Sequence, residues 1–371
     1  MIRPAPIHAI AILMLLLAAA TASAQVRLSA GAGVLYPDDA TALRTAVEQY
    51  LAEVEPIALP GPVVGCVVPH SSLKMCGPVI AGAVKPLQRG QYDRVILLSP
   101  ALLSEFRGCS IPAVQYFRTP LGDIELDGPA IHRITLNSMI DTRSVIYRNS
   151  AYTDPEINRT PLHEREFAGD VVLPFLQVQL GTFKLLPIVV GDLERNLHRV
   201  TGESKFNLDE EAVKDIAQSI YAVMDDRTLV VVVSEFTRYG AANNFTPFNR
   251  NVLRGIAELD MEAFKLVNER RYKAFEEYLA ETGSPITGQV PILIGMRILP
   301  RAARGLLMGY QVSAKITGDP STSVSYGGIS FVDGSRPIPA PAVEIPAAAP
   351  AQDDPAEPEE SEAVDTDVGP Q

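Results

Sequence analysis

Short apolar runs alternate with amphipathic segments along most of the chain. Four of the runs are rich in Val, Ile and Leu, which is typical of strands buried on both faces of a sheet. They cover residues 63–68, 94–99, 183–190 and 228–234. Helical segments are predicted between and after them, over residues 40–54, 208–224, 254–266 and 271–282. Strands that alternate with helices predict an α/β fold with a central sheet and helices on both faces.

Two later segments differ from these runs because polar and apolar residues alternate in them. They cover residues 306–316 and 323–331, and alternation is typical of antiparallel strands with one solvated face. We therefore predict a mixed sheet that ends in an antiparallel pair. Residues 25–334 contain no repeat and no linker, so they are predicted to form a single domain.

Polar or otherwise unusual segments follow the four buried strands. His70 comes shortly after the first strand, Pro100-Ala101 after Ser99 of the second, Asp192 after the third, and Glu235 and Arg238 after the fourth. In open α/β sheets, ligands bind at the carboxyl ends of the strands. The sequence therefore predicts a pocket formed by these four loops.

The first 24 residues have the pattern of a cleavable signal peptide. Arg3 precedes an apolar run over residues 9–20, and Ala22-Ser23-Ala24 supplies small residues before Gln25. Twelve helical residues rise only about 18 Å, too little for a hydrocarbon core of about 30 Å. We expect an exported protein, periplasmic or secreted, without a membrane span after cleavage.

Residues 335–371 differ in composition from the rest of the chain. They contain nine acidic residues, one Arg and many Pro and Ala, and they lack aromatic residues. Such a segment buries too little apolar surface to offset its ordering entropy, so a disordered acidic tail is predicted. The net charge of −12 belongs mostly to this tail. The remaining domain is mildly acidic and offers no electrostatic surface for nucleic acid.

The chain contains few Cys and His residues that could take part in catalysis or metal binding. Three Cys allow at most one disulfide, and four His follow the signal peptide. Cys76 lies six residues after His70, but no orienting Asn or Asp is identifiable, so an inert buried thiol is expected. No Gly-rich phosphate loop, HExxH or GxSxG motif occurs.

Eight short motifs are spread over most of the predicted domain. They cover residues 32–37 (AGVLYP), 69–78 (PH, then CGP), 116–123 (YFRTPLGD), 173–177 (LPFLQ), 186–191 (LPIVVG), 234–240 (SEFTRYG), 286–288 (ITG) and 323–326 (SVSY). In this order and at these spacings they resemble the Memo family, also called AmmeMemoRadiSam system protein B. The resemblance implies a fold like that of the class III extradiol dioxygenases.

The same resemblance implies a metal pocket built from two His and one Cys, which this chain does not retain. His70 matches the first ligand. Leu102 and Leu103 stand where the family has His-His, and Thr287 stands where the family has Cys. Because a transition-metal site needs about three protein donors, His70 alone cannot hold a divalent ion. We therefore expect no cofactor, or iron or copper if the site has been rebuilt.

Two further family positions surround that pocket. Glu235 keeps the family's acid, whereas Arg238 replaces a His, and Phe167 replaces another. Arg238 would pair with Glu235 and oppose a cation. His163, four residues before Phe167, would enter the pocket only through a loop shift, and a surface position is expected for it.

These positions predict a binding site rather than a redox centre. Small polar or anionic molecules suit a cluster of His, acid and Arg with Thr hydroxyls. The predicted ligand-binding residues are His70, Leu102, Glu235, Arg238 and Thr287. The partner is a small polar or anionic ligand or a protein. The alternative is a metal-dependent or acid–base enzyme of the dioxygenase-like type with a rebuilt site, and a third interpretation is an interaction protein that uses the acidic tail.

Overall fold

The apolar runs predicted as buried strands lie at the centre of one sheet. The computed structural model describes residues 25–142, 162–193 and 206–338. The strands in that part of the chain are β1 (Val26–Leu28), β2 (Val63–Val68), β3 (Arg94–Pro100), β4 (Cys109–Ser110), β5 (Tyr116–Thr119), β6 (Gly122–Glu125), β7 (Ile140–Asp141), β8 (Lys184–Val190), β9 (Thr228–Val233), β10 (Arg238–Tyr239), β11 (Ala303–Val312) and β12 (Ser323–Asp333).

The main sheet is mixed, as predicted. Nine of the described strands form it in the order β10-β12-β2-β9-β3-β8-β4-β7, and β11 pairs with β12 outside this path. The neighbours β2, β9, β3 and β8 are parallel, whereas β12 runs antiparallel to both β2 and β11. The predicted antiparallel pair is confirmed, but its first strand is β11 (Ala303–Val312), and the end of the segment predicted for it, residues 314–316, is helical. Because β2 and β9 are adjacent, the loops that follow them begin side by side.

Helices cover both faces of this sheet. The described helices are α1 (Ala40–Ala52), α2 (Leu73–Val84), α3 (Gly128–Ile134), α4 (Leu162–Arg165), α5 (Val172–Leu180), α6 (Glu210–Tyr221), α7 (Val252–Asn268), α8 (Tyr272–Thr282), α9 (Gln289–Ile298) and α10 (Ala314–Thr317). Buried residues of α1, α2 and α5 belong to one apolar cluster, and those of α6, α7, α8 and α9 belong to another.

Side-chain alternation along the central strands divides the core into these two clusters. In β3, Val95 and Leu97 join the cluster of α1, α2 and α5, whereas Ile96 and Leu98 join the cluster of α6 to α9. Successive residues of a strand point to opposite faces, so a strand covered on both faces needs apolar residues at every position. This requirement explains the unbroken apolar runs in the sequence.

Several of the described helices were not predicted from the hydrophobic pattern, and α2 and α9 are the most completely buried of them. In α2, nine of the twelve residues are buried, and Gly77 and Pro78 lie inside the helix. In α9, eight of the ten residues are buried, and Pro291 is one of them. A helix that is apolar around most of its circumference has no amphipathic period for a sequence pattern to detect.

The buried side chain of Arg27 connects the first described strand, β1, to the rest of the domain through an ion pair and hydrogen bonds. Arg27 of β1 forms an ion pair with Asp170 at 2.7 Å, and both side chains are almost fully buried. The same guanidinium donates a hydrogen bond to the carbonyl of His163 and lies 4.1 Å from the centre of the Phe117 ring. Asp170 also accepts hydrogen bonds from Ser29 and Gly31. We call Arg27, Asp170, Ser29 and His163 the Arg27 network.

Two predicted segments lie mainly outside the described residues. The signal peptide, residues 1–24, is wholly outside, and so are residues 339–371 of the predicted tail. At the start of that tail, Arg336 lies 3.2 Å from the carboxylate of Asp226. Within the described ranges, no helix has the length and apolar character needed to cross a bilayer. Cys66, Cys76 and Cys109 are all buried free thiols.

Candidate ligand-binding site

His70 lies between the end of β2 and the start of α2, and only 4% of its surface is exposed. Its Nε2 is 3.1 Å from the hydroxyl of Thr287, and its Nδ1 is 3.7 Å from Oε1 of Glu235. Residues 217 and 165 positions away in the sequence therefore meet at this imidazole. The cause is the adjacency of β2 and β9, whose carboxyl ends both open at this edge of the sheet.

Thr287 connects the segment before α9 to the loop after β9. Its hydroxyl accepts a hydrogen bond from the backbone N–H of Glu235 at 3.1 Å. The next residue, Gly288, donates its N–H to the hydroxyl of Ser234. A Cβ at position 288 would lie 2.4 Å from the carbonyl of Val233 and equally close to Cβ of Ser234. Only Gly permits this approach, so the Thr-Gly pair fixes the segment against the loop.

Arg238 begins β10, three residues after Glu235. Its Nε is 3.8 Å from Oε2 of Glu235, which is an ion-pair distance but too long for a hydrogen bond. That Nε is buried and has no hydrogen-bond partner among the described residues. The Arg238 side chain is nevertheless 36% exposed, whereas that of Glu235 is 7% exposed. The guanidinium therefore reaches from a buried carboxyl group toward solvent.

Burial is the main cause of the shifted pKa values of Glu235 and His70. It raises the pKa of Glu235 to about 7, although the charge of Arg238 acts in the opposite direction. Burial, followed by the charge of Arg238, lowers the pKa of His70 to about 3. His70 is therefore neutral at pH 7, and its contact with Glu235 is not an ion pair. The sequence led us to expect an ionised Glu235 paired with Arg238; desolvation of the carboxyl group opposes this ionisation at neutral pH.

A neutral His70 has a preferred tautomer in this arrangement. Since the Thr287 hydroxyl accepts from the Glu235 backbone N–H, its own hydrogen is available to donate to Nε2 of His70. The imidazole hydrogen then resides on Nδ1 and faces the Glu235 carboxyl group. This assignment follows from the hydrogen-bond network. His70 thus presents its only N–H toward Glu235.

Cys76 and Tyr326 lie at the same edge of the sheet. The Cys76 thiol, fully buried in α2, donates to the carbonyls of Ser71 and Ser72 at 3.4 Å each. Burial and the neighbouring Glu235 raise the pKa of Cys76 well above its usual value. A thiol held in this way is not a nucleophile, as the sequence suggested. The hydroxyl of Tyr326 lies 3.4 Å from that of Ser71.

Leu102 and Leu103, which replace the family's His-His, offer no polar side chain. Their backbone N–H groups donate to the two carboxylate oxygens of Glu166 at 2.8 and 2.9 Å. The Leu102 side chain packs against the apolar cluster that contains Cys76 and Tyr326. No described contact joins Leu102 to His70. Glu166 fixes this loop and was missed from the sequence; its position beside Phe167 was the only signal.

His163 belongs to the Arg27 network and not to this cluster. Its Nε2 is 2.9 Å from the hydroxyl of Ser110, and the residue is buried. The surface position expected for it was therefore wrong. Its contacts also give no support to a site rebuilt from His70, Glu235 and His163. Burial, followed by the charge of Arg27, lowers the pKa of His163 to about 3.

The clustered side chains do not fit a transition metal. Across the residues that the structure describes, no three His, Cys, Asp or Glu side chains form a group able to hold a metal ion. His70 has a neutral hydroxyl and a half-protonated carboxyl group as neighbours, and Arg238 adds a positive charge. Three anionic or imidazole donors are the minimum for such a site. The absence of bound metal remains a prediction.

The fold and the cluster together define an α/β protein with a group of polar side chains at the carboxyl ends of adjacent parallel strands. The chain belongs to the Memo family: the family model described as "Memo-like protein" matches residues 27–330. A MEMO1 family protein of Methanopyrus kandleri is 27% identical over 314 residues, covering 82% of this chain and 98% of that protein. A memo-1 homolog of Caenorhabditis elegans is 26% identical over 71% of each chain. Human MEMO1 is 21% identical over 81% of this chain and 95% of its own length.

Proposed function

We propose that this protein is an exported member of the Memo family that has lost the family's metal site and binds a small anionic ligand. The ligand site is formed by His70, Glu235, Arg238 and Thr287. The observation that carries the proposal is the state of Arg238, whose buried Nε lacks a hydrogen-bond partner while part of its side chain is exposed. An Arg whose Nε has no hydrogen-bond partner in the described part of the protein is suited to a carboxylate or phosphate group.

The neighbours of Arg238 add donors of moderate strength. Glu235, with a pKa of about 7, is present in part as a carboxylic acid at neutral pH, and its O–H can then donate to an anion. Leu102, which packs against the apolar cluster that contains Cys76 and Tyr326, is proposed as an apolar neighbour of the site. A protein partner that presents an acidic side chain would use the same donors. The cluster thus favours anions over cations, and favours binding over metal-dependent chemistry.

Replacing Arg238 by Gln is expected to weaken anion binding by at least about tenfold, since a charge-assisted pair contributes more than about 1.4 kcal/mol. Calorimetric titration with inorganic phosphate and acetate at low ionic strength measures this change. Arg254→Gln is the matched control because Arg254 is exposed and contacts only Glu258 in the described structure. Equal affinities for the Arg238 and Arg254 variants would contradict the proposed site.

Elemental analysis of protein purified without chelator is expected to find iron, copper and zinc far below one ion per chain. The reason is that His70 lacks companion ligands within the described residues. A stoichiometric metal that is lost in His70→Ala would overturn the proposal and favour the enzyme alternative. His132→Ala, on the exposed side of α3, controls for adventitious binding to surface imidazoles.

Export is proposed from the N-terminal sequence. The apolar run over residues 9–20 and the small residues before Gln25 are the features that a signal peptidase recognises. Mass analysis of the mature protein is expected to give an N-terminus at Gln25. Recovery of the intact N-terminus in the soluble fraction would contradict export.

One observation favours a second candidate function, an acid–base enzyme. A general acid or base works best when its pKa lies near the operating pH, and the pKa of Glu235 is about 7. An activity that falls in Glu235→Gln and follows a single titration near neutral pH, without metal, would support this candidate. Anion binding by the wild-type protein without any detectable turnover would support the first candidate, a ligand-binding protein.

A further inference from the structure

We infer that Asp260 is a positioning residue for the candidate site: it holds the loop that carries Glu235 and Arg238 in its binding geometry. This inference rests on the proposed function for the site's role, and on the geometry of α7 for the contact itself. Asp260 has no exposed surface. It lies in the middle of α7, and among the described contacts it reaches the site through the loop between β9 and β10.

Asp260 holds this loop at its midpoint. Its Oδ1 accepts a hydrogen bond from the backbone N–H of Thr237 at 3.1 Å. Thr237 lies between the two charged residues of the site, two positions after Glu235 and one before Arg238. A shift of the peptide at Thr237 would therefore move both charged side chains relative to His70.

The other contacts of this loop use groups other than the N–H of Thr237. Backbone N–H groups of Ser234, Glu235 and Phe236 donate to Val68, Thr287 and Ser325 respectively. Each of these partners belongs to a strand or to the segment before α9. The N–H of Thr237 is the one whose partner is a charged side chain from α7. Without Asp260, the N–H of Thr237 would lose its partner, whereas the Thr237 carbonyl would still accept from the N–H of Ser325 and its hydroxyl would still contact Ser284.

The second oxygen of Asp260 is fixed from the opposite side. Oδ2 accepts a hydrogen bond from the hydroxyl of Tyr310 on β11 at 2.7 Å. The carboxylate thus joins the site loop to the edge strand of the sheet. A buried carboxylate costs free energy to desolvate, and burial raises the pKa of Asp260. Its place directly behind the site loop gives a reason for a buried acid in an otherwise apolar face of α7.

Three variants separate positioning from mere support of the fold. Asp260→Ala removes the acceptor for Thr237, Asp260→Asn keeps a carbonyl oxygen for it, and Tyr310→Phe removes only the bond on the far side. In titrations with inorganic phosphate, we expect Asp260→Ala to weaken binding about tenfold, Asp260→Asn to restore it to within about threefold, and Tyr310→Phe to leave it unchanged.

Hydrogen exchange at the Thr237 amide supplies a readout that does not depend on any ligand. We expect faster exchange in Asp260→Ala, restored protection in Asp260→Asn, and unchanged protection in Tyr310→Phe. If the wild-type protein does not bind phosphate, the proposed function fails on its own, and amide exchange alone decides the inference about Asp260. If Asp260→Ala does not fold, Asp260→Leu combined with Tyr310→Phe replaces it, because that pair does not leave the Tyr310 hydroxyl without its acceptor.

Two results would overturn the inference. One is a folded Asp260→Ala protein that binds phosphate as the wild type does and keeps its Thr237 amide protected. The other is an equal loss of binding in Asp260→Ala and Tyr310→Phe, which would mean that the whole network acts through stability.

Discussion

Replacing Arg27 by Met is expected to lower the free energy of unfolding by about 3–5 kcal/mol, because it leaves a buried carboxylate without its charge partner. Arg27 and Asp170 are both almost fully buried and lie 2.7 Å apart. The substitution also removes the donors to the carbonyls of His163 and Glu166. Equilibrium denaturation with urea, followed by far-ultraviolet circular dichroism, measures the change.

The chain offers a matched control for this variant. Arg118 and Asp123 also form an Arg–carboxylate pair, here with two hydrogen bonds of 2.5 and 2.7 Å, but their side chains are 52% and 34% exposed. Exposed pairs contribute little to stability, so Arg118→Met is expected to leave the unfolding transition nearly unchanged. Equal effects of the two substitutions would show that burial does not set the strength of the Arg27 network.

The central strands could be predicted because each is covered on both faces. The boundaries of β2 were predicted to the residue, and those of β3, β8 and β9 within one residue at either end. The helices that lie on the surface, such as α6 and α8, were found through their polar faces. The buried α2 was not found, because a helix inside the core has no polar face and its Gly77 and Pro78 oppose the pattern.

The meeting of His70, Glu235, Arg238 and Thr287 could be predicted from two sources. Sheet topology places loops at the carboxyl ends of parallel strands, and the family resemblance places these particular loops together. The protonation of the cluster could not be predicted, because it depends on how completely each group is desolvated. That quantity is a property of the packed structure and not of the spacing of residues.

The supporting residues were harder to predict than the site itself. Asp260, Glu166 and Arg27 are buried charges, and nothing in their local sequence distinguishes them from solvated ones. Asp260 and Glu166 both act on the site's loops through backbone N–H groups. Since every residue except Pro carries the same backbone N–H, sequence patterns cannot predict which backbone donor a carboxylate binds.

Protonation of His163 is expected to make the protein sensitive to acid. Its pKa is about 3 in the folded protein, because of burial and the charge of Arg27, and about 6.5 in the unfolded chain. Between these values the unfolded chain binds more protons, so stability falls as the pH falls below about 6.5. At pH 4 this single group is expected to cost about 3 kcal/mol relative to pH 8.

His163→Gln isolates this contribution, because Gln can still bond the hydroxyl of Ser110 but does not titrate. The measurement is the free energy of unfolding of both proteins at pH 8 and at pH 4. His70, whose pKa is also about 3, contributes equally to both proteins and cancels in the difference. His132→Gln is the control, since water solvates that ring in the folded and the unfolded chain. The His163→Gln protein should therefore lose less stability than the wild type when the pH falls from 8 to 4. Parallel pH profiles for these two proteins would show that His163 is already protonated, or solvated, in the folded state.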